Sequence, residues 1–162
     1  MFAVKTYHFD RQELAKWMKL NLVKGLGPKR ILQLFSHFES MEDIFAANPE
    51  ELLRTGVMSL EMIKALKQLR DASDVAFSGA VDFCTSNKIK IVTLVESGYP
   101  KRLLEISSPP CTLFLWGDIS LLDAPKSFAI VGSREANETA MKFAYDSSKT
   151  LSNAGFVIVS GG

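Results

Sequence analysis

The sequence has 162 residues, of which 47% are hydrophobic and 23% charged, and its formal net charge is +1. This composition matches a soluble globular protein with one ordinary domain or two small ones. No apolar run approaches the ~20 residues of a membrane span, and the start MFAVKTYHFD lacks the apolar region of a secretory signal. We therefore expect a cytoplasmic protein that does not associate with membranes.

Residues 1–85 are predicted to form a compact bundle of about five helices. The predicted helix starts are Asp10 with Glu13, Pro28, Ser40 with Asp43, Asn48-Pro49 with Glu51, and Ser59. We expect the last helix to continue from Ser59 to Phe83, with a weak point near Ser78-Gly79. Five phenylalanines fall at core spacing and are expected to pack inside: Phe35, Phe38, Phe45, Phe77 and Phe83.

Residues 86–162 change to short β-branched runs and form the second predicted domain. The predicted strands are Ile89–Leu94, Thr112–Trp116, Phe128–Val131 and Phe156–Val159. The last two bracket one helix-length segment and predict a βαβ unit. A continuous apolar run such as Phe156–Val159 is typical of a parallel strand buried on both faces. Because such a strand would leave an apolar edge open, we expect these residues to be the front portion of a longer protein.

Glycines follow both strands of the predicted βαβ unit. Gly132-Ser133-Arg134 comes after the first strand, and Ser160-Gly161-Gly162 comes after the second. The ends of parallel strands share one edge of a sheet, where α/β proteins bind phosphate-bearing ligands. Glycine lets backbone N–H groups approach a phosphate, and arginine can hold it with two hydrogen bonds. An ordinary strand-to-helix turn with a solvated arginine is the alternative.

A second candidate phosphate site lies in the helical part. Gly25 and Gly27 form a hairpin between two helices, and Lys29 and Arg30 follow it. Residues 1–38 carry seven Lys or Arg against two acidic residues, which fits contact with DNA phosphates. The alternatives are a tight helical turn and an ordinary solvated helix face. No residues are placed to read base edges, so only sequence-independent contact is expected.

The sequence gives no sign of catalytic or metal chemistry. Cys84 and Cys111 are isolated, and His8 and His37 are not near them in sequence, so neither a zinc site nor a disulfide framework is predicted. No Ser/His/Asp set or fixed carboxylate pair is visible. The glycines do not form the G-x-G-x-x-G dinucleotide fingerprint. We expect no enzyme activity, no metal and no cofactor.

Four motifs in a fixed order resemble the DNA-processing protein family DprA, also called Smf. They are Gly98-Tyr99-Pro100-x-x-Leu103, Ser108-Pro109-Pro110-x-x-Leu113-Phe114-x-x-Gly117, Ala129-Ile130-Val131-Gly132-Ser133-Arg134, and Gly155-Phe156-x-x-Val159-Ser160-Gly161. The match covers about residues 88–162. The helical head resembles the family's SAM-like domain with its helix-hairpin-helix-like segment. The fold expected from this resemblance is α/β, a helical bundle followed by the beginning of a Rossmann-like parallel sheet.

The resemblance implies a bacterial cytoplasmic protein that binds single-stranded DNA, protects it and loads the RecA recombinase during natural transformation or recombination. It implies that Gly132, Ser133 and Arg134 lie in the DNA pocket and that Ser160, Gly161 and Gly162 line it. It also implies a homodimer in the full-length protein and no nucleotide hydrolysis. The sequence departs from the family at Ala140, where a glycine is usual.

Two other functions remain open at this point. The ending Val159-Ser160-Gly161-Gly162 also resembles nucleotide-binding, Rossmann-like phosphoribohydrolases, which would make the protein an enzyme. The Gly-Tyr-Pro and Pro-Pro motifs favour the DNA-binding family over these enzymes. A purely structural or protein-contact role for the helical head is the third possibility.

Overall fold

A computed structural model describes residues 9–161 of the chain. Contacts between residues divide it into two compact units, one up to Gly117 and one from Asp118 onward. The elements of the first unit are α1 (Arg11–Leu20), α2 (Pro28–Leu34), α3 (Met41–Ala46), α4 (Pro49–Arg54), α5 (Leu60–Asp71), α6 (Val75–Ser86), β1 (Lys90–Thr93), α7 (Lys101–Leu104) and β2 (Thr112–Leu115). The second unit contains a 3₁₀ turn (Ile119–Asp123), β3 (Ser127–Ala129), α8 (Glu138–Asn153) and β4 (Val157–Val159).

Local capping signals set where the first helices begin. The Asp10 carboxylate accepts hydrogen bonds from the N–H groups of Gln12 and Glu13, and Glu13 accepts one from the Asp10 N–H, which completes a capping box. Asn48 and Glu51 form the same arrangement at α4. These predicted boxes are confirmed, as are the remaining predicted starts at Pro28, Ser40 and Ser59.

The core of the first unit is built around Trp17, which is fully buried. Its ring stacks on Phe35 at 5.4 Å between centroids and meets Phe9 at 5.9 Å. Apolar side chains from α1 to α5 surround it, so the helices share one cluster. Of the five phenylalanines expected inside, Phe45 is buried, while Phe83 is 62% exposed. The buried face of α6 carries Val81 and Cys84 instead, so the prediction for Phe83 is wrong.

The predicted helix from Ser59 to Phe83 is broken in two, and the break lies at residues 72–74 rather than at Ser78-Gly79. Contacts of Lys19, whose side chain is 2% exposed, lie at this break. Its ammonium donates to the Ala72 carbonyl at 2.9 Å and pairs with the Asp74 carboxylate at 2.5 Å. It also lies 5.5 Å from the centroid of the Phe77 ring. A buried ammonium needs partners, and the extended backbone at Ala72 supplies one.

β1 and β2 confirm two predicted strands but pair antiparallel with each other, with Ile91 opposite Phe114. Among the described strands, β1 and β2 are therefore not part of the expected parallel sheet. Within the connection between them, the Tyr99 hydroxyl, on a side chain that is 2% exposed, donates a hydrogen bond to the Pro110 carbonyl at 2.7 Å. The Gly-Tyr-Pro and Pro-Pro motifs thus meet in one structural contact.

β1 packs against the helices of the first unit. Ile91 forms a cluster with Val81 and Cys84 of α6, against which Leu14 and Met18 of α1 also pack. This packing places both strands in the first unit. The domain boundary that we predicted near residue 85 stays a prediction.

The second unit contains the predicted βαβ arrangement. β3 and β4 pair in parallel, with Phe128 opposite Ile158, and α8 connects them. α8 ends in a Schellman motif: the Phe156 N–H donates to the Leu151 carbonyl, and Gly155 has a φ of +80°. Ile158 is half-buried, so β4 is not the strand buried on both faces that the sequence predicted.

Replacing Lys19 with methionine should keep the packing of its aliphatic stem and remove the charge. We expect the free energy of unfolding to fall by about 1–3 kcal/mol, because the Ala72 carbonyl loses its donor. Urea denaturation followed by circular dichroism measures this. Lys67→Met, at an exposed position of α5, is the matched control and should change stability by less than about 0.5 kcal/mol. Equal effects of the two variants would contradict the role given to Lys19.

Tyr99→Phe should lower the free energy of unfolding by about 1 kcal/mol, since the Pro110 carbonyl loses its partner.

Alkaline pH should also destabilise the protein. Burial raises the pKa of Tyr99, with a further contribution from Cys111, and burial raises the pKa of Cys111. The native state therefore keeps both protons at pH values where the unfolded chain releases them. Stability is complete below the unfolded pKa values of 9.0 and 10.0 and falls as the pH rises through the raised ones.

Urea midpoints measured on both sides of those values test the pH dependence. The loss at alkaline pH should be shallower in Tyr99→Phe, and shallower again when Cys111→Ala is added. A wild-type midpoint that stays constant into the alkaline range would rule out this linkage.

Candidate functional site

Parallel pairing brings the two glycine loops to one edge of the β3–β4 pair. The Ile130 N–H donates to the Val159 carbonyl at 2.9 Å, which extends the ladder to the last residue of β4. Gly132-Ser133-Arg134 follows β3, and Ser160-Gly161 follows β4. All five residues line one cavity of about 1230 Å³. Gly162, which we also predicted to belong to the site, lies outside the described residues.

The two polar side chains of the first loop differ in how they are held. The Ser133 Oγ accepts a hydrogen bond from the Glu135 N–H at 3.2 Å, a local contact that turns the chain toward α8. Arg134 is exposed, and in the part of the chain that the structure covers its guanidinium makes no ion pair. An exposed, unpaired guanidinium is available to an anionic ligand.

The fold gives no steric reason for glycine at positions 132 and 161. A Cβ built at Gly132 or Gly161 meets no heavy atom within 4 Å. Neither residue is among the glycines with positive φ. The space above both backbones is therefore open, and a ligand can approach the main chain there more closely than a side chain would allow.

The start of α8 adds a helix N-terminus to the cavity. Asn137 caps the helix by accepting from the Ala140 N–H at 2.9 Å, and both residues line the cavity. The positive end of the helix dipole favours an anion here. Two carboxylates, Glu135 and Asp146, also line the cavity and oppose an anion. Sequence reasoning missed Asn137, although an asparagine before a helix-length segment is itself an N-cap signal.

Most of the remaining cavity wall is apolar. Phe128 and Val131 come from the first strand and loop, and Met141 and Phe143 come from α8; these four side chains are 48%, 82%, 55% and 74% exposed respectively. Ala140, where the resembled family usually has glycine, lies on the same wall. The cavity thus combines a polar loop edge with a long apolar side.

The second predicted site forms a closed hairpin. Gly25 has a φ of +85°, and Gly27 is the N-cap of α2. Lys29 is exposed, but the Arg30 guanidinium donates to the Gly25 carbonyl at 2.8 Å. Arg30 therefore closes the hairpin, and both Lys29 and Arg30 are exposed.

Residues 9–161 contain neither a metal cluster nor a membrane-spanning helix. Across residues 9–161, His, Cys, Asp and Glu side chains form no group of three that could hold a metal ion. Within the same range, no helix is both long enough and apolar enough to cross a membrane.

Comparison with known proteins gives a family match in the second half of the chain. Residues 90–162 match the family described as DNA recombination-mediator protein A. The chain is 29% identical over 153 residues to Protein Smf of Synechocystis sp. (strain ATCC 27184 / PCC 6803 / Kazusa), covering 92% of this chain and 38% of that protein. It is also 29% identical over 151 residues to Protein Smf of Borreliella burgdorferi (strain ATCC 35210 / DSM 4680 / CIP 102532 / B31), covering 90% of this chain and 44% of that protein.

A third relative has a different name. UvrABC system protein C of Synechococcus sp. (strain CC9311) is 30% identical over 83 residues, which covers 48% of this chain and 13% of that protein. The resemblance to the DprA/Smf family predicted from the four motifs is confirmed. The chain spans about two-fifths of the length of the two Smf relatives.

Gly132→Ala and Gly161→Ala should each change the stability of the second unit by less than about 0.5 kcal/mol, because the added methyl group meets open space. Gly155→Ala is the matched control in the same unit. It should cost about 1 kcal/mol or more, because a φ of +80° is unfavourable for alanine. Thermal unfolding measures all three variants. A large loss in Gly132→Ala would mean that the glycine serves the fold and not a ligand.

Proposed function

We propose that this chain, whose residues 90–162 belong to the DNA recombination-mediator protein A family, binds single-stranded DNA through its phosphates. One observation carries the proposal. Two glycine-containing loops, Gly132-Ser133-Arg134 and Ser160-Gly161, line the same cavity beside the N-terminus of α8. Gly162 is proposed as part of the second loop.

The chemistry of this edge suits a phosphodiester backbone. Backbone N–H groups at open glycines, the Ser133 hydroxyl and the Arg134 guanidinium are phosphate ligands that do not depend on base identity. Binding should therefore tolerate any sequence and weaken with salt, because cations held by the DNA are released when arginine replaces them. The apolar side of the cavity can accept sugars and base faces.

The role of the whole protein is proposed from its family. A recombination mediator that holds single-stranded DNA would protect incoming strands and load the RecA recombinase onto them, in natural transformation or in general recombination. We propose that it acts in the cytoplasm as a homodimer and a binding protein, without catalysis or cofactor. The family description and the Smf relatives support the recombination role.

The hairpin between α1 and α2 is proposed as a weaker, second phosphate contact. Lys29 and Arg30 are exposed cations of this hairpin, and Gly25 and Gly27 shape the backbone there. Arg30 is assigned to closing the hairpin, because its guanidinium already donates to the Gly25 carbonyl.

The proposal is tested by fluorescence anisotropy of labelled oligo-dT at low salt. Arg134→Ala should weaken binding about tenfold or more, since a charge-assisted hydrogen bond to phosphate is lost, and should lower the salt slope by about one. Gly132→Ala should also weaken binding, because its methyl group occupies the space of the phosphate. Arg54→Ala, at an arginine with a 78% exposed side chain, is the matched control and should bind like the wild type.

The same titration separates the proposal from its alternatives. If Arg134→Ala binds as tightly as the wild type, the loop is a structural turn. If a mononucleotide competes as well as the oligonucleotide, a nucleotide-binding enzyme of the phosphoribohydrolase type becomes the better description.

A further inference from the structure

One apolar cluster of the first unit joins elements that lie far apart in sequence. Leu32 of α2 and Leu103 of α7 both pack against buried side chains that lie in β1 and just after it. The buried members of this cluster are Val92, Leu94 and Tyr99. α2, α7 and one face of the β1–β2 pair are therefore neighbours.

Each of these three neighbours carries an exposed lysine, and we call the three residues the lysine surface: Lys29, Lys90 and Lys101. Lys29 comes three residues before Leu32, so the two side chains lie on the same side of α2. Lys90 comes two residues before Val92 and therefore lies on the cluster face of β1. Its ammonium lies 3.9 Å from the position that a Cβ would take at Gly98, in the turn that leads to α7.

The lysine surface has an excess of positive charge. Its three ammonium groups take part in none of the ion pairs between the described residues. Arg102, the second residue of α7, is also exposed. Of the carboxylates near in sequence, Glu96 is half-buried and accepts a hydrogen bond from the Thr93 N–H at 2.6 Å, while Glu105 is exposed. The exposed cations therefore outnumber the exposed carboxylates.

The backbone that carries Lys101 is held in place by hydrogen bonds. The Tyr99 hydroxyl donates to the Pro110 carbonyl at 2.7 Å, and the Tyr99 N–H donates to the Glu96 carbonyl at 3.1 Å. The Leu103 N–H donates to the Pro100 carbonyl at 3.0 Å within the first turn of α7. A fixed backbone loses little conformational entropy when a ligand binds, so the cost of ordering falls on the lysine side chains alone.

The chemistry of this surface favours duplex DNA over a single strand. α2 and α7 contain no aromatic residue, and Tyr99 is buried, so these elements offer no ring on which an unpaired base could stack. They offer positive charge, and duplex DNA carries one negative charge per about 1.7 Å of its axis. The bases of a duplex are already stacked and paired. Contacts to phosphates alone are therefore sufficient to hold it.

We propose that Lys29, Lys90 and Lys101 bind the phosphates of duplex DNA, a ligand different from the single strand assigned to the glycine loops. This inference rests on the proposed function in one respect, because it shares Lys29 with the second phosphate contact at the hairpin. Since the contacts are to phosphates, binding would not depend on the base sequence.

Fluorescence anisotropy of a labelled blunt duplex and of labelled oligo-dT of the same length tests the inference, with titrations at several low salt concentrations. The double variant Lys90→Gln/Lys101→Gln leaves the hairpin unchanged. It should bind the duplex about tenfold more weakly, because two charge-assisted contacts are lost. The slope of log affinity against log salt should fall by about two. Its affinity for oligo-dT should stay close to that of the wild type.

Lys64→Gln/Lys67→Gln is the matched control, since it removes the same charge from exposed positions of α5, which has no described side chain in the cluster around Tyr99. This variant should bind the duplex like the wild type. Arg134→Ala should also keep its duplex affinity while it loses oligo-dT. Thermal unfolding of both double variants should match the wild type, because all four lysines are exposed.

Several outcomes would overturn the inference. Unchanged duplex binding by Lys90→Gln/Lys101→Gln, or an equal loss in the control, would show that the lysine surface does not bind the duplex. An equal loss of oligo-dT would assign the surface to the single strand. If poly-glutamate of the same total charge displaces the duplex as well as unlabelled duplex does, an acidic protein is the better partner. In each case a loss of oligo-dT by Arg134→Ala would leave the single-strand proposal standing.

Discussion

The candidate site depends on one constraint, the parallel pairing of β3 with β4. Parallel strands must point the same way, so the loops after them emerge at the same edge. The register of Ala129 opposite Val159 therefore brings Arg134 and Gly161 to one cavity although they lie far apart in sequence. An antiparallel pairing of the same two strands would place the loops at opposite ends, and no shared phosphate edge would exist.

The features that local sequence controls were predictable. The capping boxes at Asp10 and Asn48 involve residues only three positions apart, so the helix starts could be read directly. The break between α5 and α6 could not be predicted in this way. It depends on Lys19, which lies 53 residues before the carbonyl it binds, while the intervening sequence favours a continuous helix. A long-range contact overrides helix propensity here, and a local contact accompanies it: the Ser73 Oγ accepts a hydrogen bond from the Val75 N–H at 3.3 Å.

The candidate site and its surroundings also contain some features that the sequence predicts and others that it does not. The position of both glycine loops followed from the strand pattern, because apolar runs that end in glycine predict where a parallel strand stops. The antiparallel return of β2 did not follow, since it depends on pairing with β1 across the connection in which the Tyr99 hydroxyl donates to the Pro110 carbonyl. That contact gives the Gly-Tyr-Pro and Pro-Pro motifs a structural role, because Tyr99 of the first motif and Pro110 of the second are joined by a hydrogen bond within the connection between β1 and β2. The exposure of Phe83 and of Trp116 could not be predicted either, because it depends on which face of α6 and which end of β2 the neighbouring elements cover.

The Arg30 guanidinium that closes the α1–α2 hairpin has a consequence for association rates and entropy. A glycine-containing turn usually samples many conformations, and a partner must select one of them. In this chain the hydrogen bond to the Gly25 carbonyl and the contact with the Met62 sulfur, at 3.9 Å, hold the turn before any partner arrives. A flexible loop loses conformational entropy at each binding event, whereas this turn has already lost that entropy during folding. A partner of this hairpin would meet a preformed surface, and its encounter would need no slow rearrangement of the turn.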